Sequence, residues 1–526
     1  MKLSFLTQAL IASLEKSKKG PGVKGGERIS ISRTVSIFAV LYEKARTAIE
    51  YREEHLLRRA AIERILKRRL ILNENGRNIA EYLLKEILWA KYAPEDSIAT
   101  HMIDEVQGTI DKYIFLRNEI TRGKTLDVKM KFHDWLISSA AAEIEQKLSP
   151  DPVREAFINF IFRYFESKVQ LTDESRETTN ILTYVAVHKA FAKSDNDFIR
   201  YALLELSIPG LPIKKWKEIK PDILRIEKML LEIDQHLHYK LLDKLTRLVK
   251  KEVAPFLVLR DLYEEEGEHF KEILIDEKKL IEKTVHLCHV RYEDIRKKLT
   301  RAGWRSIIYI FLTKMIFAFL IEYPFERYVI QDFNVDSLLV NLIFPPFLMF
   351  LSLIGVSPPR HDNTDRIINR LKEIVTTDSE KDKQIAVALK TPRARPIMTF
   401  VFSLFYFITF LSVFGGIITG LTMLHFSIAS QIVFIFFVSL VLFFAYRVRQ
   451  TGKEYTIAEK ESFLAPLMSF FLLPILNVGK WLSGEIARFN FLVALFDFII
   501  EAPFKVIFEV FEEWFAFLRR KREEII

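Results

Sequence analysis

The sequence has a single cysteine among 526 residues, so an intramolecular disulfide framework is excluded and a reducing compartment fits the polar part of the chain. No HExxH, GxSxG or CxxC pattern occurs, and these are the patterns of zinc proteases, serine hydrolases and redox sites. No acid, base and nucleophile form a convergent set either. We therefore predict no catalytic residue, no metal and no cofactor, and an enzyme is the least favoured class.

Charge is absent from two long apolar segments, residues 397–421 and 428–446. At ~1.5 Å per residue, each segment is long enough as a helix to cross a hydrocarbon layer of ~30 Å. A buried helix in a globular domain rarely runs this far without a charged residue, so a soluble core is a poor explanation. The two segments predict a transmembrane hairpin.

Strand patterns are almost absent as well, and helical periodicity dominates the remaining chain. Half of the residues are apolar while 28% are charged, which indicates a polar part joined to an apolar part near Gly303. We predict an all-α, multi-pass helical membrane protein with a large cytosolic helical bundle and a coiled-coil-like hairpin stalk. The net charge of +9 does not call for a nucleic acid partner, because cytoplasmic loops of multi-pass proteins are rich in Lys and Arg.

The chain is longer than one hydrophobic core usually organises, so several parts are expected. The Gly/Lys-rich linker near the N-terminus is not a phosphate-binding loop, because Lys24 is followed by two glycines and not by Ser or Thr. The predicted parts are an amphipathic helix and flexible linker (1–27), a cytosolic helical bundle (28–220), a helical hairpin stalk (221–303), a four-span block (304–447) with a cytosolic loop (357–396), and C-terminal re-entrant or interfacial amphipathic helices (448–526).

A long helix is predicted over residues 33–73, and its second half is strongly basic. The basic residues are Arg58, Arg59, Arg64, Lys67, Arg68 and Arg69. Anionic lipid or RNA phosphates would suit such a face, but Glu53, Glu54 and Glu63 lie at ion-pair spacing among the arginines. We therefore interpret the basic residues as a solvated helix face.

Two apolar seams with a period near 3.5 residues predict the stalk. They cover residues 223–248 and 281–299, with an acidic turn between them that lets the second helix run antiparallel to the first. The histidines near these seams do not predict a metal site. His236 and His238 lie ~200° apart on a helix, and Cys288 lies in the apolar seam as a small core residue.

The first two spans, 307–323 and 337–356, carry features that we expect to mark the functional part of the membrane block. Lys314 lies near the middle of the first span, where an unpaired lysine costs roughly 2.5–3.5 kcal/mol. Pro345 and Pro346 lie in the centre of the second span and remove two backbone donors, which predicts a kink or a break in the helix.

Three arrangements are candidates to lower the energetic cost of burying the Lys314 charge. Glu322 lies two turns along the same face, which predicts that the two side chains meet only through water. Asp497 or Glu501, on a C-terminal amphipathic helix at 489–518, would form an ion pair with Lys314 across the bundle, and this is the favoured arrangement. Water entering at the proline break would instead imply a solute pathway.

Basic residues set the predicted topology, because they flank the first and fourth spans and fill the 357–396 loop. The N-terminal domain, this loop and the C-terminus are predicted to be cytoplasmic in the cell membrane, in contact with the bilayer and its anionic headgroups. A helix at 364–389 is expected to dock on the stalk or on headgroups. Gly416 and Gly420 form a small-xxx-small face, which predicts close packing of the third span against the fourth. Residues 463–478 are expected to be re-entrant or interfacial.

Two functions from different classes follow from this architecture. The first is a scaffold or partner-binding protein at the inner face, which binds a protein partner or a second copy through its cytosolic helices. The alternative is a channel or transporter for an ion or small solute, with Lys314 and the break at Pro345 and Pro346 in the pathway. A water-accessible cavity at Lys314 would favour transport, and a tightly packed core would favour the scaffold.

Overall fold

The computed structural model describes residues 1–18, 27–29, 40, 43, 53–172, 174–330, 335–354, 361–376, 387–389, 396–451, 455–457, 464–488, 514 and 517. Helices account for most of these residues, and the predicted all-α class is confirmed. Contacts divide the chain into two units. Within the described residues, the bundle unit holds 4–250, 387–389, 514 and 517, and the span unit holds 1–3, 251–376 and 396–488.

The bundle unit is built from ten α-helices and two short strands in its described part, with a π-helical segment at His188–Ala192 and a 3-10 turn at Lys220–Asp222. In chain order these are α1 (Phe5–Lys18), α2 (Glu54–Leu72), α3 (Ile79–Trp89), α4 (Met102–Thr121), α5 (Leu126–Leu148), α6 (Pro152–Glu166), β1 (Val169–Leu171), α7 (Arg176–Val187), α8 (Asn196–Ser207), α9 (Ile223–Leu237), α10 (Leu242–Lys251) and β2 (Val387–Leu389). Asp151, Ser175 and Asp195 cap α6, α7 and α8, because their side chains accept hydrogen bonds from backbone N–H groups. The strands pair in parallel, with Val169 opposite Val387.

A buried ion pair connects α4 to α5. Lys112 Nζ lies 2.7 Å from Glu143 Oε1 and 2.8 Å from Oε2, and both side chains are fully buried. The same ammonium donates to the Leu211 carbonyl at 2.6 Å, which ties the turn before α9 to these helices. Because loss of either partner would leave an uncompensated buried charge, the pair selects one register of α4 against α5.

Arg58 and Arg59 of α2 are buried, and the other basic residues of its second half are only partly exposed, so the prediction of a solvated face is wrong. From outside α2, Glu145 pairs with Arg58, Asp195 with Arg59, Glu43 with Arg64, and Glu86 with both Arg68 and Arg69. Within α2, Glu54 and Glu63 pair with Arg58 and Arg59 at four-residue spacing, as the sequence predicts. Local spacing does not reveal the carboxylates from outside the helix. The predicted helix over 33–73 is also interrupted, because Glu53 has extended backbone angles and α2 begins at Glu54.

The two apolar seams belong to different units, and the predicted stalk is not confirmed. The first seam is divided between α9 and α10 by a turn at 238–241. Ile226, Leu230 and Ile233 are buried on α9, which packs against α8 in the bundle unit. A seam shows that one helix face is buried, but it does not identify the helix that covers that face.

The span unit is formed by the remaining helices. They are α11 (Ala254–Glu266), α12 (Phe270–Ile275), α13 (Glu277–Phe317), α14 (Val335–Ile354), α15 (His361–Thr376), α16 (Pro396–Met423), α17 (Ile428–Thr451) and α18 (Leu464–Arg488). Two π-helical segments, Ala318–Glu322 and Phe325–Ile330, follow α13. The second seam, on α13, packs against α11, α12 and α15.

Three helices in the described residues are long and apolar enough to cross a membrane: Glu277–Leu320, Pro396–Met423 and Ile428–Arg449. They include three of the four predicted spans. The second predicted span, at 337–356, corresponds to α14, whose apolar part is the shorter Leu338–Ser352.

The long loop contains a shorter helix than the sequence predicts. α15 ends at Thr376 and β2 occupies Val387–Leu389, so the predicted helix over 364–389 is wrong in its second half. α15 packs on α13, as expected for docking on the second seam. Asn363 Nδ2 donates to the Tyr292 hydroxyl at 2.7 Å across this contact.

Candidate functional site

A buried polar cluster lies among the apolar helices of the span unit. Lys314, in the last turn of α13, and Glu322, at the end of the π-helical segment, form an ion pair with 3.1 Å between Nζ and Oε2. Both side chains have 0% relative exposure. Because each charge is neutralised by the other, the pair lowers the free-energy cost of placing a lysine in an apolar helix.

The direct pair contradicts the expectation that Glu322 reaches Lys314 only through water. In an α-helix, eight residues span ~12 Å along the axis. Ala318–Glu322 is instead π-helical, which packs more residues into each turn and shortens the rise between the two side chains. Their long, flexible stems cover the remaining distance. Helical spacing alone gave no sign of this π-helical segment.

Asn341 and Ser430 complete the cluster from two other helices. Asn341 Nδ2, on α14, donates to Glu322 Oε1 and also to the Ser430 carbonyl of α17 at 3.3 Å. Ser430 Oγ donates to the same Glu322 oxygen at 3.4 Å. The Lys314 ammonium lies 4.8 Å from the centroid of the Phe437 ring, which adds a cation–π contact. Neither polar residue was predicted from the sequence, although Asn341 is an amide inside an apolar segment.

The proline pair lies beside this cluster, but it does not end the helix. Pro345 and Pro346 lie inside the continuous helix α14 and are buried. Of the predicted kink or break, the break is therefore wrong. A proline removes one backbone donor and its ring presses on the carbonyl four residues earlier, which bends a packed helix without requiring it to unwind.

The glycine contact that brings two apolar helices close is not the predicted one. A Cβ built on Gly416 or Gly420 has no atom within 4 Å, so the described residues do not pack against this face of α16. At Gly479 of α18, a Cβ would lie 2.1 Å from the Ser439 carbonyl oxygen and 2.8 Å from Phe443 Cβ. Gly479 is therefore the position where α18 approaches the backbone of α17. Because Gly479 is not part of a small-xxx-small pattern, the sequence did not predict this contact.

The favoured partners of Lys314, Asp497 and Glu501, lie outside the described residues. α18 itself is 25 residues long, Leu464–Arg488, which exceeds the predicted segment at 463–478. It packs along α17.

A second polar network lies near the start of the apolar region. Asp261 Oδ2 accepts hydrogen bonds from the Tyr455 hydroxyl at 2.7 Å and from Arg291 Nε at 2.8 Å. Asn363 Nδ2 donates to the Tyr455 carbonyl at 2.8 Å, and Asn363 Oδ1 accepts from the Ile457 N–H at 2.9 Å. These bonds attach the segment that follows α17 to α11, α13 and α15.

Lys314, Glu322, Asn341 and Ser430 are all fully buried, and their contacts connect α13 and the π-helical segment after it to α14 and α17. No group of three or more His, Cys, Asp or Glu side chains in the described part of the chain is arranged to hold a metal ion. No family model, curated protein or solved structure matches the chain.

Proposed function

We propose that the protein is a multi-pass membrane protein that acts as a scaffold at the inner face of the cell membrane and binds a protein partner through its bundle unit. The observation that carries this proposal is a set of exposed apolar side chains between the end of α8 and the start of α9. Leu206, Ile213 and Leu224 are 62%, 86% and 80% exposed, and Trp216 is 43% exposed. We call these four residues the 206–224 surface.

Two contacts give this segment a defined shape. The ring of Trp216 lies 5.4 Å from the ring of Phe115 on α4, measured between centroids. Arg225 Nη2 donates to the Ser207 carbonyl at 2.6 Å, which brings the end of α8 to the start of α9. Single exposed apolar residues are ordinary on protein surfaces. Four of them on one ordered segment, including a tryptophan, are typical of surfaces that bind another protein.

The buried cluster supports a structural role for the intramembrane charges. Transport through a site at Lys314 requires access for water or solute, whereas the ammonium of Lys314 is fully buried and paired with Glu322. A packed ion pair of this kind holds helices together. The span unit would then supply attachment to the membrane, and the bundle unit would supply recognition.

The proposed topology places the N-terminal domain, the 357–396 loop and the C-terminus in the cytoplasm, because Lys and Arg concentrate on that side. A protein or a second copy of the chain is the proposed partner. Nucleic acid is not proposed, since the described arginines of α2 already form ion pairs within the bundle unit.

Site-specific photo-crosslinking of the full-length protein in intact membranes tests the proposal. Benzoylphenylalanine in place of Ile213 or Leu224 should give one dominant crosslinked species of defined mass. Mass spectrometry of that species would distinguish a second copy of the chain from another protein.

Phe5 provides the matched control, since it is 76% exposed and lies on α1, which packs against α6. The same probe in place of Phe5 should give no discrete species. Equal crosslinking at Ile213, Leu224 and Phe5, or none at any of them, would contradict partner binding at this surface.

A channel or transporter is the second candidate function. The observation that favours it is Asn341 Oδ1, which is buried beside the ion pair and accepts no hydrogen bond from the described residues. Such an oxygen is a ready ligand for water or a cation. Loss of ion or solute flux in Lys314→Met at unchanged folded yield would favour this function over the scaffold.

A further inference from the structure

We propose that the face of α13 just before its apolar part binds the headgroup of an anionic phospholipid. This inference rests on the proposed membrane topology, to which it adds a binding site and a class of ligand. An open surface cleft of about 480 Å³ is lined, among the described residues, by one face of α13. The lining side chains are Glu293, Arg296, Lys297, Thr300 and Arg301. Three of these five residues are cations, so the cleft favours an anion.

The cations of the cleft have little competition from protein carboxylates. Arg296 and Arg301 form no ion pair with the described residues, and neither does the neighbouring Arg305. Lys297 Nζ lies 3.8 Å from Glu293, and these two side chains are 64% and 56% exposed. An exposed pair of this length contributes little stability. The charges are therefore available to a ligand from outside the chain.

Along this face of α13, the side chains change from charged to apolar in the same order as the parts of a lipid molecule. At 3.6 residues per turn, Lys297 and Arg301 lie within about 60° of Trp304 around the helix axis, and so do Ile308 and Phe311 further along. Trp304, Ile308 and Phe311 are 59%, 56% and 40% exposed. Over about 21 Å the face thus changes from cations to an indole and then to apolar side chains.

This order identifies the source of the anion. Tryptophan favours the boundary between headgroups and hydrocarbon, so Trp304 places the cleft at the level of phosphate groups. Arginine matches the oxygens of a phosphate diester with two parallel hydrogen bonds. Ile308 and Phe311 offer contact to an acyl chain, which free phosphate does not have. An anionic phospholipid is therefore the ligand that uses the whole face.

Native mass spectrometry of the purified full-length protein in an uncharged detergent tests the site. The protein is titrated with dioleoyl phosphatidylglycerol and, in parallel, with zwitterionic dioleoyl phosphatidylcholine. Each basic residue near an anionic headgroup contributes about fivefold in affinity, so Lys297→Gln/Arg301→Gln should weaken phosphatidylglycerol binding about 30-fold. Phosphatidylcholine binding should stay unchanged.

Lys278→Gln/Lys279→Gln is the matched control, because both lysines are exposed on the same helix and lie about 37 Å or more before Trp304. The control should bind phosphatidylglycerol like the unchanged protein. Equal losses in the two variants, or no loss in Lys297→Gln/Arg301→Gln, would overturn the site. Displacement of the lipid by millimolar inorganic phosphate would overturn the lipid assignment in favour of a free anion.

The test separates failure of this site from failure of the proposed function. If alkaline carbonate extracts the protein from membranes without detergent, the proposed membrane topology is wrong, and both the lipid site and the proposed function fail with it. If the protein resists extraction but Lys297→Gln/Arg301→Gln binds phosphatidylglycerol normally, the lipid site is refuted while crosslinking at the 206–224 surface is unaffected.

Discussion

Replacing Lys314 and Glu322 separately and together should give strongly non-additive losses of stability. At 3.1 Å, two unit charges attract by about 5 kcal/mol for an effective dielectric constant of 20, before the loss of hydration is subtracted. Lys314→Met leaves a buried carboxylate unpaired and Glu322→Leu leaves a buried ammonium unpaired, so each should destabilise the fold by about 3–5 kcal/mol. The double variant buries no charge and should lie within about 2 kcal/mol of the unchanged protein.

The assay is reversible unfolding of the full-length protein in mixed micelles by dodecyl sulfate, followed by circular dichroism. Thr313→Val is a neighbouring control, because within the described residues the Thr313 hydroxyl bonds to backbone carbonyls of its own helix, at 2.7 and 3.1 Å. Uncharged polar contacts between membrane helices couple by at most about 1.7 kcal/mol, so a coupling above ~2 kcal/mol identifies the charge pair. Additive single losses would refute the pair. Lys314→Met combined with Asp497→Leu or Glu501→Leu should be additive.

Three further predictions concern helix packing, pH and the bundle core. Gly479→Ala should destabilise the protein by about 1–3 kcal/mol in the same assay, because its Cβ would meet a backbone oxygen at 2.1 Å, whereas Gly416→Ala should change stability by less than about 0.5 kcal/mol. Burial, with two nearby carboxylates, raises the pKa of Glu205 to about 7 from its ordinary value of 4.5. The folded state therefore binds this proton more tightly than the unfolded state, and stability should fall by about 1–2 kcal/mol as pH rises from 4.5 to 7. Glu205→Gln should remove that part of the pH dependence. An unchanged pH profile in Glu205→Gln would refute the raised pKa. Leu237→Asp places a charge in the buried face of α9 and should lower the free energy of unfolding by about 3–5 kcal/mol, whereas Lys240→Asp at an exposed position should change it little. Equal protease resistance of the two variants would contradict the packing of α9.

Hydrophobicity and charge correctly predicted the helices that a single stretch of sequence is enough to define. The charge-free segments 397–421 and 428–446 became α16 and α17, because twenty or so apolar residues in sequence already satisfy the length of a span. The all-α class followed from the same periodicity.

The partners of these helices depended on contacts that sequence spacing does not encode. The α2 arginines pair with carboxylates from elsewhere in the bundle unit as well as with those of α2, so local spacing predicted a solvated face in error. The seam of α9 showed that one face is buried without showing that α8 covers it. The distance between Lys314 and Glu322 required a π-helical segment. Gly479 is a single glycine, whereas the more conspicuous Gly416 has no neighbour in the described residues.

Membrane sidedness tests the central claim of a cytoplasmic bundle unit most directly. Ser427→Cys, in the connection between α16 and α17, and Ser379→Cys, in the 357–396 loop, are each made in a Cys288→Ser background, which removes the only other thiol. Intact cells are treated with a membrane-impermeant maleimide. The Ser427 position should react, and the Ser379 position should react only after the membrane is permeabilised. Labelling at the Ser379 position but not at the Ser427 position in intact cells would place the bundle unit outside and contradict an inner-face scaffold.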